Sequence, residues 1–147
     1  MSRLQKLLIV LVGLVVVFDE IVKKFALQNF PNETAITGKG ILEFAIHRNT
    51  GIAFDLPLWL PIVTILTVVV MIGLVFLAKQ SLKKQPQVSV AALMVFAGAA
   101  GNLFDRLTYG FVVDYLIIPI TRSAFNLSDL IIILGLIIFL LRASNKK

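Results

Sequence analysis

Apolar residues gather in four long runs, at residues 4–27, 58–78, 88–107 and 125–141, and polar residues and turn formers concentrate between them. A helix needs roughly 20 mostly apolar residues to cross a bilayer, so the pattern predicts four transmembrane helices. The second run is the cleanest, with Thr64 and Thr67 as its polar interruptions, whereas the other three carry ionisable or amide side chains toward one end. The connection at residues 28–57 is too long for a turn. Within it Leu42, Phe44 and Ile46 alternate with Glu43, Ala45 and His47, the period of a strand, and Asn49-Thr50-Gly51 supplies turn chemistry before Ile52-Ala53-Phe54. A short strand and a flap lying on the membrane are expected there, with Pro57 and Trp59 as an interfacial anchor.

Composition agrees with the pattern. The 147 residues are 59% hydrophobic and 15% charged, with a mean hydropathy of +0.96, which excludes an ordinary soluble globule. The length fits one domain over residues 1–147. Arg3 and Lys6 ahead of the apolar residues 7–18 have the look of a secretory signal, but no small-residue cleavage pattern follows, and a retained helix is expected. The sequence contains no cysteine, so disulfides, thiolate metal sites and a cysteine nucleophile are excluded, and the single imidazole, His47, is expected to be an exposed strand residue.

The net charge of +6 is unevenly spread. Arg3, Lys6, Lys79, Lys83, Lys84, Arg142, Lys146 and Lys147 flank the runs on one side with no acid among them, and all eight acids lie on the other side. Short basic loops stay cytoplasmic, so both termini are expected inside. The basic balance then reflects topology and contact with membrane lipids; no motif supports a nucleic-acid partner.

The remaining polar residues share a depth. At 1.5 Å of rise per residue, Asp19 lies about 20 Å beyond Lys6, Asn102 about 21 Å beyond Val88, and Asp129 about 20 Å outward from Arg142. That level is about 10 Å below the outer surface of a hydrocarbon core about 30 Å thick. A charge at the centre of a membrane helix costs about 2.5 to 3.5 kcal/mol or more, and less toward the interface. Lys23, Lys24 and Arg106 are long enough to snorkel outward; Asp and Asn side chains are not. A shared polar pocket toward the outer leaflet is therefore expected.

Asn102 and Arg106, four residues apart, share a helix face, and Gly98 and Gly101 allow close approach of another helix or a substrate. Asp105 points about 100° away from Arg106 and needs a different partner. Asn126 is placed to cap the fourth helix, with Asp129 at its third position, where an acid is favoured. Asp114 interrupts an apolar run with no basic neighbour. If the connection folds back, Asp114 and Asp129 face each other, and two close carboxylates share one proton. One then takes a proton from water while the other protonates a carbonyl oxygen, the chemistry of an aspartic peptidase. The helix N-terminus favours the anion of Asp129, which assigns the shared proton to Asp114.

These residues resemble a family, the lipoprotein signal peptidases, which are four-helix bacterial membrane aspartyl peptidases. The resemblance spans nearly the whole chain. It rests on Asp19 and Lys23; on Asn49-Thr50-Gly51-Ile52-Ala53-Phe54; on Gly98-Ala99-Ala100-Gly101-Asn102-Leu103-Phe104-Asp105-Arg106; on Val112-Val113-Asp114-Tyr115; and on Ala124-Phe125-Asn126-Leu127-Ser128-Asp129. It implies an all-α membrane protein of four transmembrane helices, with a small extracytoplasmic β-like flap between the first two. It also implies that Asp114 and Asp129 are the catalytic pair, that Asn102, Arg106 and Asn126 position substrate or hold the pair, and that Asp19, Lys23, Asn49 and Gly51 support site and flap. The implied reaction removes the signal peptide from diacylglyceryl-modified prolipoproteins just before the lipidated cysteine. It needs no metal or organic cofactor, takes place at the inner membrane in a monomer, and is blocked by peptide inhibitors such as globomycin. Glu20, Val22 and Ala99 stand where the family usually has Gln, Ser or Thr, and Gly. A proton-coupled carrier would also bury acids in membrane helices, but inverted repeats are usual there and no halves of this chain match. An inactive lipopeptide-binding scaffold is separated from an enzyme only by assay.

Overall fold

The computed structural model describes residues 1–30, 41–51, 59–121 and 123–144. It contains four helices, α1 (Arg3–Asn29), α2 (Leu60–Ser81), α3 (Pro86–Tyr109) and α4 (Leu127–Ser144), and three strands, β1 (Glu43–Asn49), β2 (Val112–Ile118) and β3 (Ser123–Phe125). Ile52-Ala53-Phe54, which follow the expected turn at Asn49-Thr50-Gly51, the anchor residue Pro57, and Lys146 and Lys147 lie outside the described residues.

The helix ends follow their local chemistry. Ser2 and Gln5 form a reciprocal capping box at the start of α1, prolines sit in the first turns of α2 and α3, where the missing N–H costs nothing, and α3 ends on Gly110 in the left-handed region at φ 81°. α4 starts at Leu127, where the expected Asn126 cap places it, and Phe125, the first residue of the apolar run, lies in β3. Thr64 and Thr67 turn their hydroxyls back to the carbonyls of Leu60 and Val63, at 2.9 and 2.8 Å, which satisfies them inside an apolar helix.

α3 is the central helix, and each of the other three packs against it. Val12, Val90, Met94 and Ile131 form the buried apolar contact between α1, α3 and α4. Outward faces stay apolar: Ile65, Leu66, Val69, Val70, Ile72 and Phe76 of α2 are all exposed. α2 and α3 are long and apolar enough to cross a membrane.

The expected flap is only one strand of a larger element. β1 pairs antiparallel with β2, and β2 with β3, so the sheet draws two strands from the connection between α3 and α4. The strict alternation expected in β1 is corrected by an irregularity between Phe44 and His47, which buries both Ala45 and Ile46 and leaves Phe44 exposed. His47, expected to be exposed, is half-buried and lies opposite Asp114 in the register. Ala26, Ile46 and Tyr115 then form a second apolar cluster, joined by Val22 and Leu127, that fixes the sheet onto the end of the bundle.

Glycines set the approach of α4 to α3. A Cβ on Gly98 would lie 2.5 Å from the Ser128 carbonyl oxygen and 2.8 Å from Ile132 Cγ1, and one on Gly101 would lie 2.7 Å from Ser128 Oγ. Gly98→Ala is expected to push α4 outward and cost about 1–3 kcal/mol, read as a lower unfolding midpoint in detergent; Gly13→Ala, where nothing lies within 4 Å, serves as the control and should leave the midpoint at or above the parent value.

Candidate active site

Asp19, Lys23, Asn49, Asn102, Asp105, Asp114, Asn126 and Ser128 are all buried, and hydrogen bonds link them into one polar centre where α1, α3, α4 and the sheet meet. Such groups are stable in an apolar surrounding only when bonded, and nearly all are. The snorkelling posture open to Lys23 is not the one adopted. Its ammonium, 0% exposed, lies 3.1 Å from Asp19, 3.0 Å from Glu20 and 2.9 Å from Asp105. Glu20 therefore joins the cluster as a third carboxylate, and Val22 packs in the apolar cluster beside Tyr115.

Asp19 receives two elements at once. It accepts from the amides of Leu127 and Ser128 at 3.0 and 3.2 Å and from the Ser128 hydroxyl at 2.6 Å, so an acid from α1 closes the N-terminus of α4, where the helix dipole favours negative charge. It also accepts the Tyr115 hydroxyl at 2.6 Å. Tyr115 adjoins Asp114 and Ser128 adjoins Asp129, so a single carboxylate ties down both segments that carry the two acids. Asp105, which needed a partner other than that of Arg106, has Lys23 and the Val113 amide, the latter at 3.1 Å.

Asn126 stands between Asp114 and Asp129. Its side-chain amide donates to Asp114 Oδ1 at 2.8 Å, while its backbone N–H donates to Asp129 Oδ2 at 3.2 Å and its Oδ1 accepts the Asp129 N–H at 2.9 Å. The last two bonds are a reciprocal helix cap, so Asp129 both caps α4 and presents its other oxygen, which accepts from Asn102 Nδ2 at 2.7 Å. Asn102 Oδ1 in turn accepts from Asn126 at 3.2 Å and from Lys23 at 3.4 Å. Asn49 donates to Asp114 Oδ2 at 3.1 Å and accepts the Gly51 N–H at 3.0 Å, and Arg106 donates to the Gly51 carbonyl at 3.1 Å. The turn after β1 is thus held to the Asp114 side of the centre by Asn49 and to α3 by Arg106. Arg106 Nε is buried and has no hydrogen-bond partner among the described residues.

Burial, and then the neighbouring charge of Asp129, push the Asp114 acid up to about 7, against the bonds from Asn49 and Asn126 that favour its anion. Burial and the bond to Asp19 likewise hold the Tyr115 hydroxyl well above its usual range, so it remains a donor. Among the described residues no group of His, Asp and Glu has the arrangement to hold a metal ion. Glu20, Tyr115, Ser128 and Asp105 are the structural participants that sequence reasoning left out of the site. The motif positions next to Asp114 and Asp129 were the available signal, but the shared partner, Asp19, lies about a hundred residues away in the chain.

The family model described as signal peptidase (SPase) II matches residues 11–144. A lipoprotein signal peptidase of Bartonella tribocorum is 33% identical over 147 residues, covering 93% of this chain and 87% of that protein. One from Brevibacillus brevis is 38% identical over 105 residues, covering 69% of each. Two solved structures, each described as a bacterial membrane enzyme determined by the in meso method, at 2.3 and 1.9 Å, superpose with a TM-score of 0.75. They are 28% and 26% identical to this chain, cover 95% of it, and are themselves covered over 91% and 94% of their length. With sequence and fold agreeing over nearly its full length, the chain belongs to the signal peptidase II family.

Proposed function

We propose that the chain is an aspartic endopeptidase of the bacterial inner membrane that removes the signal peptide from diacylglyceryl-modified prolipoproteins, cleaving before the lipidated cysteine. The observation that carries this reading is the placement of Asp114 and Asp129 on either side of Asn126, each held by amide donors. Asp129, at the N-terminus of α4, takes a proton from water as the water oxygen adds to the scissile carbonyl carbon. Asp114 gives its proton to the carbonyl oxygen. Collapse of the resulting diol breaks the C–N bond, the proton on Asp129 passes to the leaving nitrogen, and the hydroxyl proton returns to Asp114. Asn102 and Asn126 fix the pair, Asn49 and Gly51 hold the flap beside Asp114, and Arg106 ties that turn to α3 through the Gly51 carbonyl. Asp19 and Lys23 fix the elements behind them.

The four helices cross the membrane as one peptidase unit, acting as a monomer with both termini cytoplasmic and the acids toward the outer leaflet. The sorting of basic residues to one end and the exposed apolar faces of α1, α2 and α4 support this. A scissile bond tethered to an outer-leaflet lipid would lie at the depth of Asp129. No metal or organic cofactor enters the chemistry.

The test is direct. The detergent-purified chain, incubated with a lipidated prolipoprotein, should release the signal peptide and leave the lipidated cysteine as the new N-terminus, and globomycin should stop it. Binding without turnover would establish a scaffold instead. A pH profile tests the proton assignment: Asp114 must be neutral, and raising the pH through about 7 removes its proton, so kcat should fall about tenfold per pH unit above that point. A kcat that stays flat to pH 9 would remove Asp114 as the acid.

A further inference from the structure

A cavity of about 380 Å³ lies at the opposite end of the bundle from the acids, lined by Leu77, Gln80, Ser81, Lys84, Gln85, Val88 and Phe139. Val88 is fourteen residues before Asn102 on α3, so the two sites are about 21 Å apart along the helix. The lining is graded along the helix axes. Gln80, Ser81, Lys84 and Gln85 belong to the end of α2 and the turn into α3, whereas Leu77 is one turn earlier in α2, Val88 opens α3, and Phe139 lies one turn inside Arg142 on α4. Donor groups therefore surround the mouth and apolar side chains form the floor.

The charge at this end has one sign. Lys84 lines the cavity, Lys79 and Lys83 belong to the same stretch outside its lining, Arg142 lies in the last turn of α4, Arg3 and Lys6 begin α1, and no acid occurs in any of these stretches. Polar donors and cations over an apolar floor, at the depth of a membrane surface, complement one amphiphile: an anionic phospholipid, its phosphate at Lys84 and the start of one acyl chain against Leu77, Val88 and Phe139. We infer that this cavity is a binding site for an anionic phospholipid of the cytoplasmic leaflet, separate from the outer-leaflet substrate site.

This inference rests on the membrane-spanning reading above, and it is tested on the full chain by native mass spectrometry in detergent. Titration with phosphatidylglycerol and with phosphatidylcholine of matched acyl chains should show the first phosphatidylglycerol binding about fivefold more tightly, the effect of one lysine beside a headgroup of net negative charge. Lys84→Gln should reduce the preference to less than twofold, whereas Lys79→Gln, outside the cavity lining, should keep it. Soluble glycerol phosphate in excess should displace nothing, because it lacks the chain that fills the floor. Equal binding of the two lipids, equal effects of Lys79→Gln and Lys84→Gln, or displacement by glycerol phosphate would each overturn the site. Prolipoprotein cleavage assayed alongside should be unchanged in Lys84→Gln; absence of cleavage in the parent chain itself would count against the peptidase reading and leave the lipid result to stand by itself.

Discussion

Asp114→Asn is expected to lower kcat for a lipidated prolipoprotein by about a hundredfold to ten-thousandfold, the range for losing a positioned general acid, with KM within about twofold of the parent. The geometry separates chemistry from folding here. Asp114 accepts from Asn49 at one oxygen and from Asn126 at the other, so an asparagine of the same shape keeps one of the two bonds and the β2 backbone is untouched. What it cannot do is release a proton to a carbonyl oxygen. Asp129→Asn should cause a loss of the same order for the opposite reason, since an amide does not take a proton from water. A globomycin-type peptide should still bind both variants, and that retained binding shows an intact pocket. Turnover near the parent rate in either variant would remove the pair from the mechanism.

Helices were readable from the sequence where a single property decided them. α2 is apolar all round, and no alternative state suits such a run, so its existence followed from composition alone. The common level of Asp19, Asn102 and Asp129 followed from helical rise, because one number fixes depth in a straight helix. β2 was not readable. Its apolar residues are interrupted by Asp114, and it becomes a strand only by pairing with β1, where Asp114 lies opposite His47, sixty-seven positions earlier.

Partner choice was legible only in part. Spacing showed that Asp105 and Arg106 look different ways, but no local rule connects Asp19 to Tyr115 or to Ser128. The position of Asn126 marked the cap of α4, yet its simultaneous bond to Asp114 depends on the sheet bringing that residue back. Lys23 illustrates the limit most clearly. A lysine near a helix end is ordinarily free to snorkel, and only the arrival of Asp105 from α3, beside Asp19 and Glu20 on its own helix, makes burial the favourable choice.

That burial makes Lys23→Met the substitution with the largest expected effect on stability, about 3–5 kcal/mol, the cost of breaking a buried ion pair from one side. Methionine fills much of the lysine volume, so little of the loss is a cavity effect; it comes from leaving Asp19 and Asp105, both 0% exposed, without their cation. Unfolding in detergent, followed by heat or denaturant, should show the midpoint fall sharply. If uncompensated charge is the cause, removing a charge should repair it. The double variant Lys23→Met/Asp105→Asn should then be more stable than Lys23→Met alone, a non-additivity that two independent packing defects would not produce. The repair should be incomplete, because Asp19 still serves the N-terminus of α4 and Tyr115 as an anion and the Asp105 bond to the Val113 amide is weakened with the loss of charge. A Lys23→Met variant within 1 kcal/mol of the parent, or a double variant less stable than the single, would mean that the centre is held by its hydrogen bonds to backbone, with the lysine contributing little.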